Sequence, residues 1–331
     1  MSSYLEMYLE PLLPQLARTD VTDIFINRPG EVWIETLGGG AERHTVPELD
    51  GELLSRLARQ IASITHQGIS REHPLLASSL PDGARVQVIA PPATRGPMAI
   101  AIRKHVMSDL AMPDYEAAGA FDDTRNSEES AGRDDLLARL YERKSWGRFL
   151  CEAVRRRKTI LVSGGTSTGK TTFINALMKE IPSRERLVLI EDTPELLMNH
   201  ANSVGLVCVR GELGETRVSA DDLLIASLRM RPDRIILGEL RGSEAYTFLR
   251  AINTGHPGSM STIHADSPAG ALEQISLLVL QSHPGMRRQD VLDYCAQLLE
   301  IVVQLERKAG VRKVSEVAWR CSPARSRTSG D

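Results

Sequence analysis

The chain has 331 residues, a formal net charge of −3, and 42% hydrophobic and 25% charged residues. That length predicts two domains, and that charge excludes a global electrostatic pull toward nucleic acid. Aromatics make up only 4%, so the cores must rest on Leu, Ile, Val and Ala. No apolar run approaches the ~20 residues of a membrane span. The residues after Met1 carry no basic and apolar leader pattern, so no signal peptide is expected. Cys151, Cys208, Cys295 and Cys321 form no C-x-x-C pair, which reads as reduced thiols in a cytosolic protein rather than zinc ligands.

In chain order, residues 3–17 are amphipathic, with Leu5, Leu9, Leu12, Leu13 and Leu16. Residues 23–27 and 31–35 read as two strands around the turn Arg28-Pro29-Gly30. A helix is expected over about 49–65, with Leu53, Leu54, Leu57, Ile61 and Ile64 on one face. Three short strands follow at 75–80, 84–90 and 98–103. This first part reads as a small α+β domain, residues 1–107. Residues 108–140 gather Asp and Glu with Ala, Gly and Ser. They are expected to be a flexible acidic linker, because so few apolar groups cannot form a core. Residues 141–331 alternate strand and helix, which implies a mostly parallel sheet covered by helices. Its strands are expected at 159–163, 186–191, 206–209, 234–238 and 259–263, and its helices at 145–156, 219–230, 243–252 and from about Ser267.

The strand Thr159–Ser163 runs into Gly164-Gly165-Thr166-Ser167-Thr168-Gly169-Lys170-Thr171-Thr172, and a helix follows. This is a P-loop in its strand–turn–helix setting. Its glycines let backbone N–H groups turn inward, and the helix N-terminus adds positive potential. Lys170 would reach the β and γ phosphates of ATP, and Thr171 would hold Mg²⁺.

In such a sheet ligands sit at the carboxyl ends of the strands. Strand 186–191 ends in Glu191-Asp192, strand 234–238 in Gly238-Glu239 and then Arg241, and strand 259–263 in His264. A strand-end acid can orient or deprotonate the attacking water, and cations stabilise the transition-state charge. Glu239 is the stronger base candidate and Glu191 the second. His264 would sense the γ-phosphate or cap the following helix. The run Arg155–Lys158 reads as a solvated helix end.

Four boxes in order resemble the secretion ATPase superfamily of traffic ATPases, type II secretion motors and pilus motors. They are the P-loop at 164–171, an acidic box Ile190–Glu195, a Walker B region from Leu228 to Arg241, and a His box from Thr254 to Ala265. The stretch Asp20–Trp33, Asp82–Arg85 and Ile100–Lys104 are most similar to the type IV secretion branch. The resemblance covers about residues 5–320 and implies a RecA-like α/β P-loop NTPase domain preceded by the smaller α+β domain. It implies ATP hydrolysis in a homohexameric ring, with Arg85 and Arg103 reaching across to the phosphates and Glu191 joining Thr171 at the metal. It further implies partners among other type IV secretion ATPases and inner-membrane components, and a peripheral place on the cytoplasmic face of that membrane. Two other readings compete: a nucleic-acid-dependent RecA-like motor, disfavoured by charge and scarce aromatics, and a non-hydrolysing nucleotide-gated scaffold, disfavoured by both strand-end acids. A pilus or type II motor is the alternative within the superfamily.

Overall fold

The computed structural model describes residues 3–104, 111–122, 124, 135–209 and 216–319. Part of the expected linker, its residues 108–110, 123 and 125–134, lies outside the described residues, as does Cys321.

The N-terminal part begins with helices α1 (Ser3–Leu9) and α2 (Leu13–Ala17), joined by a 3₁₀ turn at Glu10–Leu12. Strands β1 (Val21–Ile26) and β2 (Glu31–Thr36) follow, then β3 (Ala41–Thr45). Gly30 takes φ +79 in the first turn, a conformation that strains any residue with a Cβ. Helix α3 (Gly51–Ile64) is capped by Asp50, whose side chain accepts from Leu53 N at 2.7 Å. Its buried face is Leu54, Leu57, Ala58 and Ile61. Strands β4 (Leu75–Ser79), β5 (Arg85–Ile89) and β6 (Ala99–Arg103) complete an antiparallel sheet of order β3-β2-β1-β6-β5-β4. Strand β3 has no counterpart among the expected elements. Its sequence Ala-Glu-Arg-His-Thr is almost wholly polar and its side chains are largely exposed at the sheet edge, so it carries no apolar period to detect.

Helix α4 (Met112–Ala117) falls inside the span expected as linker, and helix α5 (Asp135–Glu142) begins within it. The expectation to residue 140 is corrected here. Leu137 and Leu140 are buried beside Phe149 and Val162 in the second core, so that stretch is packed structure.

The second sheet is built from β7 (Ile160–Gly164), β8 (Leu187–Glu191), β9 (Ser203–Val207), β10 (Arg234–Leu237), β11 (Met260–Ile263), β12 (Ile301–Lys308) and β13 (Val311–Trp319). Their order is β13-β12-β7-β11-β10-β8-β9, parallel throughout except for β13. Helices α6 (Trp146–Arg155), α7 (Lys170–Met178), α8 (Ala220–Ser227), α9 (Glu244–Asn253), α10 (Pro268–Ser282) and α11 (Arg288–Leu298) pack around it. Strands β7, β8 and β10 are mostly apolar runs, and β11, Met-Ser-Thr-Ile, is buried along its whole length, because both faces are covered. Since β7, β8, β10 and β11 are parallel, their carboxyl ends emerge along one edge, and this brings the expected site residues together. The fold is an N-terminal α+β domain followed by an α/β ATPase-type domain.

The two halves meet at a polar joint. Arg186, fully buried, stacks on Phe25 at 4.0 Å and donates to Asn27 Oδ1 at 2.7 Å and Asn202 Oδ1 at 2.6 Å. Arg231 pairs with Glu35 at 2.6 Å. Among the described residues no helix is long and apolar enough to cross a membrane.

Candidate nucleotide site

Strand β7 delivers the chain to a tight loop. A Cβ on Gly164 would lie 2.6 Å from Thr168 Oγ1 and 2.8 Å from Leu305 O, so only glycine fits between this loop and β12. Gly169 takes φ +93 as it opens α7. Thr168 Oγ1 donates to Gly165 O at 2.9 Å. Lys170 Nζ donates to Gly164 O at 2.9 Å and Gly165 O at 3.3 Å, so it lies folded over the loop it belongs to. Burial lowers its pKa; Glu239 opposes the shift and Arg241 adds to it.

Residues 165–172 line a cavity of about 480 Å³, and Glu191, Asp192, Glu239, Arg241 and His264 line it with them. The strand-end residues expected from sequence therefore converge. Glu239 follows β10 and Gly238; its carboxylate pairs with Arg241 and lies 2.7 Å from His264 Nε2. Lys170 Nζ lies 3.2 Å from His264 Nδ1. Arg241 also reaches Asp192 at 3.1 Å. Partial burial works against its charge, but the bonded Glu239 carboxylate outweighs that, and its pKa is held above the ordinary arginine value. Glu244, at the start of α9, accepts from Arg241 N at 2.5 Å and Gly242 N at 2.8 Å, which fixes the turn. On the other side, Thr262 Oγ1 donates to Gly238 O at 2.7 Å, and Gln304 Nε2 to Ala265 O at 3.1 Å. These bonds brace the residues that carry Glu239 and His264.

Glu191 is placed differently. Its carboxylate is buried, accepts from Glu195 N at 2.9 Å and Leu196 N at 2.6 Å through one oxygen, and pairs with Arg95 through the other. Both oxygens are thus engaged, which is not the open geometry expected of a metal ligand.

Arg85 and Arg103 are neighbours, paired in register across β5 and β6. Within this chain they do not line the P-loop cavity. They line a separate one of about 620 Å³, together with Arg229. Thr171 stands on the first turn of α7 and lines the P-loop cavity. Its hydroxyl is the donor that fits a magnesium carried in with phosphates, since that ion keeps most of its ligands from water and nucleotide. Among the described residues no group of three or more His, Cys, Asp or Glu side chains could hold a metal.

Two arginines at this site have no counterpart in the sequence reading. Arg312, from β13, also lines the cavity, and its Cδ would be 3.1 Å from a Cβ on Gly169. The mostly apolar stretch 301–305 ahead of Ala309-Gly310 is a hairpin signal that could have put Arg312 on a strand, but not beside the P-loop. Arg95 comes from the β5–β6 loop, and no local pattern points to it.

Residues 8–316 match the family described as type II/IV secretion system protein. The chain belongs to that family. It is 40% identical to the type IV secretion system protein PtlH of Bordetella pertussis, over 95% of each chain. It is 36% identical to VirB11 of Bartonella henselae, over 94% of this chain and 91% of the relative. In structure it resembles the VirB11 ATPase of the Brucella suis type IV secretion system, solved in complex with sulphate. The TM-score is 0.90 at 35% identity, covering 97% of this chain and 96% of that one. The family match agrees with the superfamily expected from the four boxes, and the type IV relatives agree with the branch expected from Asp20–Trp33, Asp82–Arg85 and Ile100–Lys104.

Proposed function

We propose that this chain hydrolyses ATP to drive type IV secretion, as a homohexameric ring on the cytoplasmic face of the inner membrane. The observation that carries the ATPase reading is the convergence of P-loop, Glu239, Arg241 and His264 on one cavity. Its relatives' names supply the pathway. The nucleic-acid motor is not favoured by either.

The geometry supports the following roles. Backbone N–H groups of residues 165–170 cradle the phosphates, and Lys170 leaves its own loop carbonyls to meet them. Thr171 would hold Mg²⁺, which when bound would neutralise phosphate charge. Glu239 takes the proton of the attacking water as its oxygen bonds to the γ-phosphorus and ADP departs with the bridging oxygen. His264, between Glu239 and Lys170, senses whether the γ-phosphate is present. Arg241 and Arg312 balance charge on the phosphates. Glu191, engaged by Arg95, is assigned second to Glu239 as base and is not assigned to the metal, since both its oxygens are taken. Arg85 and Arg103, in their own cavity, serve a neighbouring subunit's nucleotide in the ring. Other type IV secretion ATPases and inner-membrane components are its partners.

The test is steady-state ATP turnover of the purified chain beside Glu239→Gln. The wild type should turn over ATP with magnesium, and the variant should bind ATP without turnover. Equal rates in both would reject the assignment of Glu239.

A further inference from the structure

The loop after β5 leaves the first sheet and joins the edge of the second. Val207 N donates to Ala93 O at 3.0 Å, Arg95 N donates to Gly205 O at 2.9 Å, and Thr94 bridges Leu206 in antiparallel sense. Residues 93–95 thus cover edge strand β9 with main-chain bonds. The Arg95 side chain then crosses directly over Gly205. A Cβ there would lie 2.6 Å from Arg95 Cδ and 2.7 Å from Met198 Sδ. Beyond that crossing the guanidinium donates from Nη1 to Leu196 O at 2.8 Å and pairs with Glu191. The side chains of Arg95 and Glu191 are 16% and 3% exposed.

A buried pair of this kind adds little net stability compared with apolar packing of the same volume. Its position says more. One partner ends β8 and lines the nucleotide cavity; the other belongs to the N-terminal half and is anchored there by β5 and β6. We propose that Arg95 is a positioning residue through which the N-terminal half sets the orientation of the Glu191 carboxylate in the nucleotide site. The proposal rests on the ATPase reading above. It makes the N-terminal half part of the hydrolytic machinery of its own chain: moving the β5–β6 loop against β9 would withdraw the cation that holds Glu191.

The experiment uses the full chain with ATP and magnesium. Arg95→Ala should lower kcat on the order of 10- to 100-fold, as displaced catalytic groups do, while KM for ATP changes far less. Arg95→Lys, which keeps a cation, should recover part of the loss. Gly205→Val, which blocks the crossing without touching the charge, should reproduce the Arg95→Ala loss. Arg95→Ala combined with Glu191→Gln should be no slower than Glu191→Gln alone, because the two act as one unit. Multiplying losses, or Arg95→Ala with wild-type kcat, would overturn the proposal, and thermal melting confirms that each variant is folded. Amide exchange at Glu195 and Leu196, whose N–H groups bind Glu191, gives a readout that needs no hydrolysis. It should quicken in Arg95→Ala, and unchanged exchange overturns the positioning role. A wild-type chain that turned over no ATP would instead overturn the ATPase reading alone.

Discussion

Glu239 sits between the Arg241 guanidinium and the His264 imidazole. An amide in the place of that carboxylate cannot accept a proton. Glu239→Gln should therefore cost about two to four orders of magnitude in kcat with ATP affinity retained, measured by phosphate release and equilibrium binding. Lys170→Ala should lose both turnover and affinity, because the phosphates lose their central cation; near-normal turnover there would remove the P-loop assignment. Arg312→Ala tests the arginine that only the structure revealed. Loss of one charge-assisted contact is worth about 1.5–3 kcal/mol, so nucleotide affinity should fall measurably in a titration while the fold is unchanged. His256 gives a pH signature. Burial lowers its pKa below the ordinary 6.5, against a bond to Pro232 O at 2.9 Å. Between those two values the unfolded chain binds a proton that the folded chain does not, so stability falls as pH drops below about 6.5. In His256→Gln the melting temperature should vary less from about pH 7 to about pH 5.

At the scale of elements, the P-loop is shaped as much by β12 as by its own glycines. Strand β12 pairs in parallel with β7 from Ile301↔Ile160 to Leu305↔Gly164, and its hairpin partner β13 brings Arg312 to Gly169. Gly164→Ala would press a methyl group against the Leu305 carbonyl, and backbone cannot swing aside as a flexible side chain can. Overpacking of this kind costs about 1–3 kcal/mol. The variant should melt at a lower temperature and bind nucleotide poorly, and an unchanged melting curve with normal binding would show that β12 yields. The four aromatic rings Tyr141, Phe149, Trp146 and Trp319 cluster at the far end of β13, with the Tyr141 hydroxyl donating to Val317 O at 2.9 Å. That cluster ties α5 and α6 to the hairpin.

For the whole molecule, Arg103 poses the sharpest question. It lies 61% exposed, 3.9 Å from Asp23, in a cavity apart from its own P-loop. If it serves a neighbouring subunit, Arg103→Ala and Lys170→Ala should each be inactive alone, yet regain turnover when co-assembled. A Lys170→Ala subunit supplies an intact Arg103 to the P-loop of its neighbour. Failure of every mixing ratio to restore turnover, with rings confirmed by native mass measurement, would rule out that arrangement.

Much of the site was legible in the sequence because its residues lie at strand ends. The P-loop, Glu191, Glu239, Arg241 and His264 each follow an apolar run, and a parallel sheet must gather such ends along one edge. Local pattern was enough for α3, β7, β8 and β10, whose apolar residues recur closely, and for β11, a short stretch of apolar and β-branched residues after Gly258. It did not reach β3, whose side chains meet water and so carry no period, nor the packing of α5, where two leucines stand in an acidic stretch. The tertiary structure alone decided three things. It brought Arg312 to the P-loop through the pairing of β12 with β7, and it drew Arg95 across Gly205 to Glu191. It also set Arg85 and Arg103 apart in their own cavity. Each of these depends on contacts between residues far apart in the chain, and no local periodicity encodes which distant surfaces meet.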